Sequence, residues 1–331
     1  MKKIVAIILT VMLLLSCSIS VAEEAVPFIG LAFGAMDATP AALSAALSKK
    51  MDARGWKYLI TNADQDSSKL LSDVDSLCQM KPDVIVCRMI NDLVAPGIVD
   101  ICNNYGVPCG FMSNADHFEE LDYQFDTGDP ESVRGYPLGI WLNQYCEEHP
   151  GFVPKIGVVV GDFSAEVCFG RTDNLKEICP QAEWVVEAEA DPKWTATGGM
   201  RIMEDWLQKY SIDEMNTILV WSDEMCIGVL QALQAAGKNP GDYLVMSYDG
   251  LELVFDSIEE GWLSATSGLN MDKVADGIMR ICERIIEGDD FATDPVQYAY
   301  SVYLLDKNNL DDIKNGNIDK IEFFDYAPYM N

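Results

Sequence analysis

NTILVWS, residues 216–222, passes without a break into DEMCIGVLQALQAA, residues 223–236. The first segment is a near-continuous apolar run of strand length, and the second is an amphipathic stretch of helix length. A strand that is apolar along its whole length is covered on both faces, as strands of parallel sheets are. A helix that follows it directly is then the crossover of a βα unit.

Working outward, the same unit recurs. Upstream stand KIGVVVG (155–161), a helix over 170–179, AEWVVEAEA (182–190) and a helix over 197–210; downstream stand YLVMSYD (243–249), a helix over 251–260, LSATSG (263–268) and a helix over 271–287. A first series of like design precedes these: FIGLAFG (28–34), a helix over 40–54 ended by Gly55, WKYLITNA (56–63), a helix over 66–80, PDVIVCR (82–88), a helix over 92–105 and VPCGFMS (107–113). Between the series, Gly128, Asp129 and Pro130 interrupt the periodicity before a helix over 132–147. The expected fold class is therefore α/β, two doubly wound parallel-sheet lobes, whose ligand sites lie at the carboxyl ends of the strands. A strand-like run over 297–305 and a short helix over 308–315 are too little for a third domain. They must add to the existing lobes, which implies several crossings between lobes and hence a hinge.

Length and composition agree: 331 residues, 49% hydrophobic and 23% charged, exceed what one core usually serves. The chain opens MKK followed by IVAIILTVMLLLS, a basic segment and a short apolar one, which together read as an export signal over residues 1–22. Ser20-Val21-Ala22 offers a signal-peptidase site, whereas Leu14-Leu15-Ser16-Cys17 resembles a lipoprotein box that would lipidate Cys17; both readings stay open. Beyond residue 22 no apolar run reaches the ~18 residues of a spanning helix. The expected location is extracytoplasmic, in the periplasm or at the cell surface. A formal charge of −30, spread along the chain, argues against nucleic acid as a partner and for a solvated acidic surface.

Ten cysteines contain no CxxC, and His117 and His149 are the only histidines, so no metal site is expected. Most of the cysteines read as small buried apolar residues. Gly30 and Gly34 are isolated rather than part of a GxGxxG run, and there is no Walker A loop, GxSxG elbow, HExxH pair or EF-hand loop. No cofactor is expected, and a binding module is favoured over an enzyme.

FIGLAFGAMDATP (28–40), NADQDSSKLLSDVDSLCQMKPDVIV (62–86), GVPCGFMSNAD (106–116), TILVWSDEMCIGVLQALQAAGK (217–238), VMSYDG (245–250) and LDKNNL (305–310) carry a family likeness. In wording and order they resemble the periplasmic sugar-binding proteins of the galactose/glucose- and ribose-binding type, from about residue 28 to 313. The resemblance implies the type I periplasmic-binding fold: an N-terminal lobe of residues 25–128 plus 269–298, a C-terminal lobe of residues 129–268 plus 299–331, and three strands of hinge between them. It also implies a monomer that captures a sugar or polyol-like ligand by closing and hands it to the permease of an ABC transporter. The alternative is a sensor that signals to a membrane receptor or histidine kinase.

The resemblance places ligand-binding residues at Asp37, after the first strand; at Ser113 and Asn114, at the end of the fourth; and at Arg171, Trp194, Ser222, Asp249 and, at the last hinge position, Asn270. Arg171 would lend its planar fork of donors, Trp194 would stack on the C–H face of the ligand, and Asp249 would accept from hydroxyls. One departure stands out: Ala41 and Ala42 occupy the place near Pro40 where the family carries an aromatic. Each assignment has a structural rival. Trp194 could be core, Arg171 could lie on a solvated helix face, Asp249 could cap the helix that follows it, and Asp223 reads better as the N-cap of helix 224–236 than as a ligand contact.

Overall fold

The computed structural model describes residues 26–89, 91–112, 125–161, 169–187, 192–288, 296–297 and 299–329. The expected leader, with Cys17, and the pair Ser113 and Asn114 lie outside the described residues.

Two six-stranded sheets form the two lobes. The first contains β1 (Phe28–Phe33), β2 (Lys57–Asn62), β3 (Val84–Arg88), β4 (Cys109–Met112), β5 (Phe125–Thr127) and β11 (Val296–Gln297), in the order β11-β5-β4-β3-β1-β2 with every pairing parallel. The second contains β6 (Lys155–Val159), β7 (Glu183–Glu187), β8 (Thr217–Val220), β9 (Leu244–Asp249), β10 (Ala265–Leu269) and β12 (Val302–Asp306), in the order β12-β10-β9-β8-β6-β7. From β1 to β4 and from β6 to β10, successive strands are joined by helices that cross over a sheet face, which is why the inner strands read as unbroken apolar runs.

In the first lobe, α1 (Ala38–Arg54) and α9 (Met271–Ile286) put Leu43, Leu47, Met51, Val274 and Ile278 against Ile29, Leu31 and Val84. A second cluster joins α2 (Ser67–Gln79) and α3 (Ala95–Tyr105) to the sheet through Leu70, Val74, Leu77, Ile98 and Val99 around Ile85 and Cys87. In the second lobe, α4 (Gly135–Glu148) packs beside α5 (Phe169–Ile178), and α6 (Ala196–Lys209) beside α7 (Asp223–Ala235). Gly228 of α7 faces the Ala196 carbonyl so closely that a Cβ would collide with it, and this lets the two helices approach. Short α8 (Phe255–Glu259) and α10 (Leu310–Lys314) complete the lobe. Of the eight described cysteines seven are buried and all are free thiols.

The structure departs from the sequence reading at the hinge. The run expected as one strand over 297–305 is split between the two sheets: β11 joins the first and β12 the second, with Tyr300 at a left-handed φ of 47° between them. Because the chain re-enters the second lobe from the first, β12 runs antiparallel to β10, so the second sheet is mixed rather than wholly parallel. Strand β5, only three residues long and carrying the buried polar pair Asp126 and Thr127, has no apolar run to announce it. The chain thus passes between sheets three times: from β5 to α4, from β10 to α9, and from β11 to β12.

Candidate ligand-binding cleft

Asp249 is the last residue of β9 and takes a φ of 114°, a left-handed value rare for any residue but glycine. Such strain persists only where surrounding contacts fix it. The turn that follows is held by Asp223, the first residue of α7. Its carboxylate accepts from Ser247 Oγ on β9, from Thr266 Oγ1 on β10 at 3.0 Å and from the Leu251 N–H at 2.7 Å. Burial raises the Asp223 pKa, the nearby Asp249 charge raises it further, and these donors oppose both. Asp223 is therefore a buried turn-holder and not the cap of α7. That role falls to Ser222, whose Oγ accepts the Met225 N–H at 3.2 Å.

Around Asp249 lies a closed ionic group. Arg134 gives Nη2 to Asp249 Oδ1 at 2.5 Å and Nη1 to Glu131 Oε2 at 2.9 Å. Arg171 gives Nε to the same Glu131 oxygen at 2.8 Å, pairs with it again through Nη2, and gives Nη1 to the Trp221 carbonyl at 2.6 Å. All four side chains are buried: Arg134 is 1%, Arg171 3%, Asp249 4% and Glu131 5% exposed. Burial alone would push Glu131 up, but the guanidinium groups of Arg171 and Arg134 overcome it and hold the carboxyl at about 2. Neither Arg171 nor Asp249 keeps its bland reading: the arginine is on no solvated face, and the aspartate spends its carboxylate on Arg134 rather than on a helix cap.

Aromatic rings wall this group. Both guanidinium groups lie over the Tyr248 ring, Arg171 at 5.1 Å and Arg134 at 5.6 Å from its centroid. Trp194 stands in a left-handed turn (φ 58°), half-buried, 6.4 Å from the Trp221 ring and 5.9 Å from the Arg171 guanidinium. Its ring lies on Gly161, just past the end of β6, where any Cβ would overlap it. Trp221 is wholly buried and donates Nε1–H to Thr172 Oγ1 at 2.9 Å.

The first lobe faces this floor with Asp37, directly before α1, and Arg88, at the end of β3. Burial raises the Asp37 pKa; Arg88 opposes that, and the acids Asp249 and Glu224 of the other lobe add to it. Glu224, in the first turn of α7, crosses the cleft and accepts the Ala38 N–H at 3.2 Å. The carboxyl edges of the two sheets therefore meet in a closed arrangement. Asn270 stands apart from the ionic group: its side-chain oxygen caps α9 by accepting the Lys273 N–H at 2.9 Å. Among the described residues no three His, Cys, Asp or Glu side chains form a metal cluster, and no helix is long and apolar enough to cross a membrane.

Of the positions the resemblance implies, Asp37, Arg171, Trp194 and Asp249 stand at this cleft and Ser222 caps α7 beside it; Arg88, Glu131, Arg134 and Glu224, which the sequence reading did not name, stand among them. Arg88 carried a usable signal, since it ends an apolar strand as Asp249 does. Glu131 and Arg134 carried none, because they sit where the periodicity breaks.

Comparison with known proteins yields one family model, described as a periplasmic binding protein domain, over residues 37–290. The chain is 28% identical over 279 residues to the ribose import binding protein of Bacillus subtilis, covering 80% of this chain and 87% of that protein. It is 22% identical over 261 residues to a xylitol-binding protein of Mycolicibacterium smegmatis, covering 78% and 71%. Among solved structures, an ABC transporter solute binding protein from Bacillus halodurans with bound myo-inositol superposes with a TM-score of 0.75 at 20% identity, covering 87% of this chain and 97% of that one. A galactofuranose binding protein gives 0.77 at 18% identity, covering 88% and 99%.

Proposed function

The chain belongs to the periplasmic binding protein domain family, and on that premise we propose that it is an extracytoplasmic solute-binding protein for a sugar or polyol. It closes its lobes on the ligand and presents the closed form to an ABC transporter permease. The lobes comprise residues 25–128 plus 269–298 and 129–268 plus 299–331, following a leader over 1–22.

One observation carries the reading of the site. Trp194, Arg171 and Asp249 from one lobe, and Asp37 from the other, converge on a single cleft around charges already neutralised by Glu131 and Arg134. Such a floor offers fixed donors and acceptors without a net demand for ligand charge, and the Trp194 ring supplies an apolar face beside them. That combination suits a ring with hydroxyls on its rim and C–H bonds on its faces. It rejects an analogue lacking a hydroxyl, because a buried partner would be left unpaired. Ser113, Asn114, Ser222 and Asn270 complete the proposed set, the last two while also capping α7 and α9.

A thermal-shift and calorimetric panel of D-ribose, L-arabinose, D-allose, xylitol and myo-inositol tests this. A true ligand at 100 times its dissociation constant stabilises the protein by about 2.7 kcal/mol and is recovered unchanged. A panel in which no polyol shifts the melt, while an amino acid or nucleoside does, would sink the sugar reading.

A further inference from the structure

Residues 321–326, beyond the stretch matched by the family model, lie across the hinge. Ile321 is buried in the core of the second lobe. An antiparallel bridge between Tyr303 and Phe323, and a bond from the Phe324 N–H to the Val302 carbonyl at 2.7 Å, fasten the segment beside β12. From there it reaches all three crossings. At the second, the Lys273 ammonium in the first turn of α9 sits 3.8 Å from the centroid of the Phe323 ring. Phe324 stacks on Tyr136 in the first turn of α4, at 5.9 Å, and packs in the same small cluster as Leu269 at the end of β10. Tyr326 stacks on Tyr300 of the third crossing, with centroids 4.6 Å apart and planes 11° from parallel.

The end of this segment meets Asp129, in the first crossing. Asp129 is 5% exposed, and its carboxylate takes four hydrogen bonds. Tyr300 N–H and Ser301 N–H donate at 2.7 and 2.8 Å, and the Ser301 and Tyr326 hydroxyls donate as well. Burial and the neighbouring Asp129 charge push the Tyr326 phenol well above its ordinary range, so it remains a neutral donor. One carboxylate therefore joins the first crossing, the third crossing and the C-terminal segment. Closure of two lobes is a rotation taken up by the dihedral angles of the few residues that connect them. When two of three connections share a buried carboxylate, they cannot turn independently.

We propose that residues 321–326 are a strap that sets the hinge, with Tyr326 a positioning residue that acts through Asp129 to make the first and third crossings one pivot. The proposal is independent of which ligand the cleft takes, and its test uses none. Tyr326→Phe keeps the stack on Tyr300 and removes only the hydroxyl. Amide hydrogen exchange of the ligand-free full chain is compared with wild type over residues 128–134 and 299–302, with β1 and β8 as internal controls. Exchange at both crossings should quicken about tenfold, a factor equivalent to about 1.4 kcal/mol, while β1 and β8 keep their protection. Ser301→Ala, which removes another hydroxyl from the same carboxylate, should give the same pattern and serves if Tyr326→Phe does not fold. Unchanged exchange at the crossings would overturn the proposal. So would an acceleration that spreads equally through β8, which would make Tyr326 an ordinary core residue of the second lobe.

Discussion

Arg171 spends its guanidinium on Glu131 and on the Trp221 carbonyl before any ligand arrives, so its removal has two effects. Arg171→Ala should weaken ligand binding and also leave Glu131 with half its compensation. Breaking a buried pair by deleting one partner costs about 3–5 kcal/mol, a loss that urea unfolding of the ligand-free protein at pH 7 measures. Trp194→Ala should differ, since that ring is half-buried and borders the cleft: affinity falls at least tenfold, about 1.4 kcal/mol, with ligand-free stability little changed. The acid limb of the stability curve follows from the same group. Glu131 is held at about 2, below its ordinary 4.5, so its contribution is complete above the ordinary value and is lost as pH falls through about 2. Glu131→Gln should therefore lower stability at pH 7 and flatten the curve between those values. Arg171 and Asp249 were legible because they stand in motifs that resemble a known family. Glu131 and Arg134 were not, because the contacts of residue 131 with 171 and of 134 with 249 are long-range pairings that no local spacing encodes.

At the scale of elements, the sequence was most readable where one physical cause acted alone. Buried strands and amphipathic helices give distinct periods, and the units around β8 and α7 follow them closely. The hinge obeys other rules. Strand β5 is too short and polar to show a period, and the apolar run ending in β12 hides a change of sheet at Tyr300. Helix ends were also ambiguous: Ser222 and Asp223 are both good N-caps, and the contest was decided by the partners waiting for Asp223 on β9 and β10. The next residue carries a cross-cleft consequence. Glu224 places its carboxylate at the start of two helices in opposite lobes, its own α7 and, through the Ala38 N–H, α1. An anion is stabilised at each. The bond can exist only while the lobes are together, so Glu224→Ala should speed ligand release and weaken affinity about fivefold, roughly the 1 kcal/mol of one such hydrogen bond. The order of preference among ligands should not change. A stopped-flow measurement in which release is unaltered would show that the contact adds nothing to closure.

For the whole molecule, closure should be coupled to a proton. In the closed arrangement Asp37 is half-buried, and Asp249 at the end of β9 and Glu224 at the start of α7 both act on it; the Arg88 charge and the Thr39 backbone N–H favour its ionised form. Burial is the largest of these influences, and with the Asp249 and Glu224 charges it outweighs Arg88 and Thr39, so the pKa is raised. When the lobes part, Asp249 and Glu224 leave with the second lobe and water returns to Asp37, so its pKa relaxes toward the ordinary carboxylate value. Over the pH range between the two values, the closed form should hold a proton on Asp37 that the open form has lost. A group whose pKa is higher in the closed state favours that state at low pH. Affinity should rise as pH falls through the raised value of Asp37, and level off once the open form is protonated too. The ionic floor does not reverse this sign, because Glu131, Arg134 and Asp249 pair within one lobe and move together. Calorimetry of the best ligand between pH 4.5 and 8, in two buffers of different ionisation enthalpy, reads the proton directly. Net uptake on binding, abolished in Asp37→Asn with a flat affinity profile, is the expected result. Equal uptake in the variant and the wild type would place the proton on another group and remove Asp37 from the closing surface.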